Sequence, residues 1–415
     1  MSEYILKGGN KLEGEVQISG SKNAALPIIA ATILNSGKST LYNVPNIHDT
    51  QKMFDILKKI GGTVIKKANK VVIDTSKINK YEIPEELMRQ MRSSVIFAGS
   101  LVGRHRKAIF SYPGGCDIGT RPIELHLKAF EKLGININKN YGNIECICDK
   151  IKGEKINLDF PSVGATENAI LASCLAEGTT IITNAAREPE IIDLQNFLNK
   201  MGARIKGAGS NQIEIEGVKK LHEVSYNIMP DRIEAGTFLC MSALHNGKII
   251  VKNANSEHIT PIIDKLEEAG CKFKIEKSQI KMETPKKLKA VNLKTMPYPG
   301  FPTDMQSIFL TLLTTSKGTS MVVENIFENR YKCTQELIRM GAKISIEGKT
   351  AIIKGVRKLY GANVKATDLR GGAALVIAAT IAKGTTKIEN IEYILRGYEE
   401  FEKKLRNLGV DIKEG

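Results

Sequence analysis

Residues 162–185 read S-V-G-A-T-E-N-A-I-L-A-S-C-L-A-E-G-T-T-I-I-T-N-A. A polar start leads into an apolar run of helical length. A glycine follows near the helix end, then a β-branched strand closed by an asparagine. The same frame starts again at Gly20 (G-S-K-N-A-A-L-P-I-I-A-A-T-I-L), Asp231 (D-R-I-E-A-G-T-F-L-C-M-S-A-L), Pro302 (P-T-D-M-Q-S-I-F-L-T-L-L) and Asp368 (D-L-R-G-G-A-A-L-V-I-A-A-T-I). A more divergent copy starts at Arg92. Each copy runs on into a second helix that ends at a glycine, namely Gly61, Gly134, Gly202, Gly270, Gly341 and Gly409. Their spacing of about 70 residues is long enough for a whole supersecondary unit. Glycine just past a helix is the residue expected to take the left-handed cap.

Two short alternating strands precede each copy, as in Ile5–Ile18 and Ile213–Ile228. The unit is therefore strand, strand, helix, strand, helix, strand. Six such units make an α/β protein, and 415 residues suit two domains of three units each. The junction is expected near 228–231, midway along the chain.

Composition sets the outer bounds. With 42% hydrophobic and 25% charged residues the chain is globular. The N-terminus has no basic region followed by an apolar run, and the longest apolar runs fall short of a bilayer span. A cytoplasmic protein without membrane partners is expected. The seven cysteines are scattered without zinc spacing. The net charge of +15 is spread rather than clustered, and lacks a basic stripe with stacking aromatics. Anionic small molecules explain it better than nucleic acid. P-loop and dinucleotide fingerprints are absent.

In a repeat protein the scaffold is shared, and function shows where equivalent positions differ. The first-helix starts carry Lys22-Asn23, Arg92, Thr166-Glu167, Arg232, Asp304 and Arg370. The connections before the second helices carry Asp49, Cys116 to Arg121, Arg187-Glu188, Glu257-His258, Glu328 to Arg330, and Arg396. Helix N-termini together with arginines make an anion-seeking surface. Each position also has a plain structural alternative. Lys22 could be a solvated first-turn residue, Asp304 and Asp231 helix caps, and Arg330 and Arg396 surface arginines. Gly371-Gly372 opening a good helix suggests close approach by a ligand or by backbone. The loop from Ser111 to Arg121 (S-Y-P-G-G-C-D-I-G-T-R) places Cys116 among glycines and beside a cation, where a thiol can be reactive.

These residues carry a resemblance. G-S-K-N-A-A-L-P at Gly20, P-G-G-C-D-I-G-T-R-P at Pro113, S-V-G-A-T at Ser162, A-R-E-P-E-I at Ala186 and M-P-D-R-I-E-A-G-T at Met229 belong to it. So do P-G-F-P-T-D-M-Q at Pro299, F-E-N-R-Y at Phe327, D-L-R-G-G-A-A-L at Asp368 and R-G-Y-E at Arg396. Along essentially its whole length the chain resembles the UDP-N-acetylglucosamine 1-carboxyvinyltransferase family, enolpyruvyl transferases that share their fold with the shikimate enzyme. The resemblance implies a two-domain inside-out α/β barrel. One domain would span 22–229, the other 1–21 plus 230–415, with the active site in the cleft between them. It implies transfer of the enolpyruvyl group of phosphoenolpyruvate to the 3-hydroxyl of UDP-N-acetylglucosamine, with no metal or organic cofactor.

By the same resemblance Cys116 matches the proton donor and Asp304 the carboxylate at the sugar hydroxyl. Lys22, Arg121 and Arg396 match the phosphoenolpyruvate cradle, with Arg330 and Arg370 also lining the site. Asn23, Arg92, Arg121, Pro122, Ile123, Glu124, Leu125, Ser162, Val163, Gly164 and Ile326 match the nucleotide-sugar contacts. Asp117 is a departure, since many members carry another residue after the cysteine. The shikimate enzyme carries Lys-Ser where this chain has Lys22-Asn23, and lacks the cysteine loop. A non-catalytic binding protein and an RNA-end-processing enzyme on related folds are the remaining alternatives.

Overall fold

The computed structural model describes residues 2–415 except 68, 115–117, 120, 121, 246 and 247. The first helix of each repeat is apolar all round, so it is driven into the interior. The helices Lys22–Ala31, Val163–Ser173, Arg232–Leu244, Gln306–Leu313 and Leu369–Ile381 are buried over nearly every residue. The second helices, such as His48–Lys59 and Pro189–Lys200, alternate buried and exposed faces and lie further out. The strands bury every other side chain, as in Lys70–Asp74 and Gln212–Glu216, so each sheet covers helices with one face and meets water with the other. Helices inside and sheets outside give the inside-out arrangement. Among the described residues the sheets remain six separate ones, five of four strands and one of three, rather than a closed strand barrel. All six second-helix glycines take positive φ, between 79° and 107°.

Along the chain the elements follow the repeated order, but the sheets recombine them. Of the two strands ahead of a first helix, the first pairs back into the preceding sheet. Strand Gln212–Glu216 is antiparallel to Thr179–Thr183 and to Arg204–Lys206. The second of the two strands starts a new sheet by pairing parallel with the strand after the first helix, as Lys155–Asn157 does with Thr179–Thr183. In the second repeat that lead strand is reduced to one bridge, Glu82 with Ile109.

Two lead strands are exchanged. Glu13–Gln17 pairs with Lys248–Lys252 rather than with Lys38–Tyr42, and Val224–Asn227 takes the place beside Lys38–Tyr42. Glu3–Lys7 lies between Thr385–Glu389 and Asp411–Glu414. The chain accordingly divides into two compact units. The first comprises 1–19, 117–120 and 230–415, and the second 20–116 and 121–229. Each has its own hydrophobic core.

Candidate functional site

In the second unit, Ser21 caps the helix Lys22–Ala31 by accepting from the Ala24 N–H at 3.3 Å. The cap directs Lys22 inward. Its Nζ lies 2.8 Å from Asp49 Oδ2, with side-chain exposures of 11% and 3%. The solvated alternative for Lys22 is thereby excluded. A buried ammonium needs a counter-charge, and Asp49, in the first turn of His48–Lys59, supplies it. Asn23 and Arg92 are half-buried at the starts of their helices.

Ser162 caps the helix Val163–Ser173 and accepts from the Ala165 N–H at 3.4 Å. Gly164 packs closely on His126, since a Cβ there would sit 3.0 Å from His126 Cε1. His126 Nδ1 accepts from Asn168 Nδ2 at 2.7 Å, and Asn168 Oδ1 accepts the Gly99 N–H at 2.8 Å. This chain of contacts fixes the start of Glu124–Lys132, and with it Pro122 to Leu125, against Ser162 to Gly164. Ile123 is buried, Leu125 is half-buried, and Pro122 and Glu124 are exposed. Beside this region Glu167 is buried in helix Val163–Ser173. Burial, reinforced by Glu190 and Glu188, pushes its carboxyl well above the usual range.

In the first unit, Asp304 lies in the 3₁₀ turn Thr303–Met305, which has no side-chain cap. Its carboxylate faces two guanidiniums, with Arg330 Nη2 at 2.5 Å from Oδ1 and Arg370 Nη2 at 3.1 Å from Oδ2. Asp304 is thus tied to two cations at a helix start. Asp231, by contrast, does cap its helix, accepting from the Ile233 and Glu234 N–H groups. Arg330 is 4% exposed, so it is no surface arginine. Its Nε donates to Thr303 Oγ1, and its Nη1 lies 3.6 Å from Asp368 Oδ1. Asp368 caps the helix Leu369–Ile381 through the Arg370 and Gly371 N–H groups, both at 3.0 Å.

Arg370 is 2% exposed, and its guanidinium lies 5.4 Å from the centre of the Tyr398 ring. Its Nε and Nη1 are buried without a hydrogen-bond partner among the described residues. At Gly371 and Gly372 a Cβ would come 2.6 Å from Asp368 Oδ2 and 2.7 Å from Ile394 Cγ1, so both glycines pack closely against neighbouring side chains. Arg396 ends the turn Ile391–Arg396 and is half-buried. Ile326 is half-buried, and its N–H donates to Glu324 Oε1 at 2.8 Å. Cys116, Asp117 and Arg121 lie outside the described residues.

Asp368 and Tyr398 escaped the reading of the sequence. Both sit inside quoted motifs, D-L-R-G-G and R-G-Y-E, each two residues from an arginine. An apolar groove of about 520 Å³ between Pro261, Met296, Phe301 and Met321 contains none of the candidate residues.

Comparison with known proteins shows the class: the chain is an enolpyruvyl transferase. The model of the EPSP synthase (3-phosphoshikimate 1-carboxyvinyltransferase) family matches residues 6–405. Two solved structures share the fold. The enolpyruvyl transferase NikO from Streptomyces tendae has a TM-score of 0.91 at 24% identity, over 100% of this chain and 99% of its own. An EPSP synthase from Acinetobacter baumannii has a TM-score of 0.78 at 17% identity, over 100% of both. At higher identity stand a UDP-N-acetylglucosamine 1-carboxyvinyltransferase 2 from Caldanaerobacter subterraneus, 53% identical over 99% of both chains, and a UDP-N-acetylglucosamine 1-carboxyvinyltransferase from Geobacter metallireducens, 48% identical over 100% of this chain and 99% of its own. The chain belongs to the UDP-N-acetylglucosamine 1-carboxyvinyltransferase family. Among the described residues no helix is long and apolar enough to cross a membrane.

Proposed function

We propose that this chain transfers the enolpyruvyl group of phosphoenolpyruvate to the 3-hydroxyl of UDP-N-acetylglucosamine, releasing phosphate, in the first committed step of peptidoglycan synthesis in the cytoplasm. What carries the reading is identity of about half of all residues, end to end, with relatives of that name. In the addition step the sugar oxygen bonds to C2 of phosphoenolpyruvate, the hydroxyl proton passes to Asp304, and Cys116 gives a proton to the methylene carbon. In the elimination step the C2–O bond to phosphate breaks and phosphate leaves with the bonding pair, the methyl carbon returns a proton to the Cys116 thiolate, and the double bond is restored.

Both Asp304 oxygens face guanidiniums before substrate arrives. A carboxylate so held accepts a proton only when a guanidinium turns to another anion. The unused donors of Arg370 favour that exchange. Lys22, Arg121 and Arg396 hold the phosphoenolpyruvate anion, with Arg330 and Arg370 beside it. Asn23, Arg92, Arg121 to Leu125, Ser162 to Gly164, and Ile326 hold the nucleotide sugar. The test is phosphate release. It is expected only with phosphoenolpyruvate and UDP-N-acetylglucosamine together; release with shikimate 3-phosphate in place of the sugar nucleotide would assign the chain to the other branch of the fold.

A further inference from the structure

Ile228 and Met229 close the second unit just after the exchanged strand Val224–Asn227. Every backbone polar group of the two residues is paired. The Ile228 N–H donates to the Tyr42 carbonyl at 3.1 Å, and the Ile228 carbonyl accepts from Asn43 Nδ2 at 2.9 Å. The Met229 N–H donates to Asp193 Oδ2 at 3.2 Å, and the Met229 carbonyl accepts the Ser21 N–H at 2.7 Å. Ser21 is the N-cap of the helix Lys22–Ala31, so the Met229 peptide bears on where that helix begins. Gly20 is confined from another side, since a Cβ there would collide with the Asn43 carbonyl.

Among the groups that hold these two residues, Asp193 is the ionisable one. It sits on the helix Pro189–Lys200 and is 8% exposed. Its Oδ1 accepts the Tyr226 hydroxyl at 2.7 Å, and the Tyr226 ring stands edge-on to Phe197 of the same helix, with centroids 5.5 Å apart. Burial pushes the Asp193 carboxyl up to about 6, and its two donors, Tyr226 and Met229, hold it down. The carboxylate thus leans on the Met229 N–H.

We propose that Asp193, steadied by Tyr226, is a positioning residue for Lys22: through the Met229 peptide it sets the start of the helix Lys22–Ala31 and the place of the Lys22 ammonium. The path runs from Asp193 to the Met229 N–H, from the Met229 carbonyl to the Ser21 N–H, and from Ser21 to Lys22, whose Nζ lies 2.8 Å from Asp49 Oδ2. The inference rests on the proposed function for what Lys22 then does, which is to hold the phosphoenolpyruvate anion. Neither Asp193 nor Tyr226 falls in any of the quoted motifs.

Asp193→Leu removes the acceptor within a similar shape and leaves the Met229 N–H unpaired. Asp193→Asn keeps an acceptor for that N–H and can donate to the Tyr226 oxygen. Trace acetylation with acetic anhydride, read by mass spectrometry, compares the Lys22 amine with the exposed Lys220. The Lys22 to Lys220 ratio should rise about tenfold in Asp193→Leu, the scale of one lost buried hydrogen bond, and stay within about twofold of wild type in Asp193→Asn. By the same scale kcat/KM for phosphoenolpyruvate should fall about tenfold in Asp193→Leu and recover in Asp193→Asn. An unchanged labelling ratio in folded Asp193→Leu would overturn the inference, and so would an Asp193→Asn as impaired as Asp193→Leu. If Asp193→Leu fails to fold, Tyr226→Phe takes its place. It withdraws one donor from Asp193, keeps the ring beside Phe197, and should raise the ratio about threefold; no rise there would overturn the inference equally. Labelling needs no turnover. A wild type that releases no phosphate from phosphoenolpyruvate and UDP-N-acetylglucosamine would therefore remove the proposed function and leave the positioning result readable.

Discussion

Replacing Lys404 by methionine isolates a buried ion pair where the chain passes between its two units, after Ser19. Lys404 Nζ reaches Glu234 Oε1 at 2.6 Å and Ser19 Oγ at 2.7 Å, and the Ser19 N–H donates to Glu234 Oε2 at 2.8 Å. The two charged side chains are 13% and 3% exposed. Burial pushes the Glu234 carboxyl up to about 7, and Lys404 is the main influence holding it down. A native pKa above the unfolded value means stability falls as pH rises from the unfolded pKa through the native one. In the wild type that decline ends near pH 7.

Without Lys404 the native pKa climbs further, so the decline continues above pH 7 at up to ~1.4 kcal/mol per pH unit. At pH 6 both proteins carry the proton, and the variant lacks only hydrogen bonds worth about 1 kcal/mol each. At pH 9 the deficit approaches the low end of a broken buried pair, about 3 kcal/mol. For a unit of this size that lowers Tm by roughly 6–12 °C. Calorimetry at pH 6 and pH 9 measures both values, with Glu234→Gln as the background in which the pH dependence should vanish. An equal deficit at the two pH values would refute the reasoning.

Three further outcomes are expected. Cys116→Ser should cut turnover severely and abolish alkylation by fosfomycin, read by mass spectrometry; labelling that persists in the variant removes the cysteine from its role. Arg396→Ala, at a half-buried turn end, should raise KM for phosphoenolpyruvate and leave Tm within a few degrees; a collapse in Tm would make the residue structural. His245 Nδ1 donates to the Asn10 carbonyl at 2.9 Å, its Nε2 pairs with Thr380 Oγ1 at 2.7 Å, and burial pushes its pKa down to about 4. Its native pKa lies below the unfolded value, so its contribution is complete above about pH 6.5 and is lost towards pH 4. Denaturant titrations should show a shallower acid decline in His245→Gln than in the wild type.

The scaffold was open to reading because each repeat states its structure locally. An apolar run without a polar face marks a buried helix, a glycine marks its left-handed end, and alternation marks a strand. Which sheet a strand joins is a different kind of information. Glu13–Gln17 and Val224–Asn227 are interchangeable in pattern, and hydrogen bonds between segments some 200 residues apart decide their places. The site divided in the same way. Lys22 and Asp304 stood out as charged residues at one repeated slot, the first-helix start, and Arg330 at the other, the connection before the second helix. Whether each was solvated, capping or buried depended on partners elsewhere in the chain, namely Asp49, Thr303 and Arg370. Asp368 and Tyr398 went unremarked because a helix cap and an aromatic in a motif look like ordinary scaffold.

Arg370 shows why those partners matter, because its position runs against stability. Its guanidinium is dry, shares Asp304 with Arg330, and keeps two N–H-bearing nitrogens unpartnered among the described residues. An unsatisfied buried donor costs about 1–3 kcal/mol. The ring of Tyr398 returns about 1–2 kcal/mol at most. Arg370→Met would remove the charge and the orphaned donors, fill similar space, and leave Asp304 facing Arg330. Removing one partner of a buried pair costs about 3–5 kcal/mol when it strands the other charge; here Arg330 still faces Asp304, so Asp304 is not stranded and removal of the orphaned donors offsets what is lost. The variant should therefore melt at or above the wild-type temperature while losing turnover by a hundredfold or more. Such a trade is expected where a fold keeps a strained charge for its reaction. A fall in Tm of more than about 5 °C in Arg370→Met, beyond ~1 kcal/mol for a unit of this size, would show instead that the guanidinium holds the fold together.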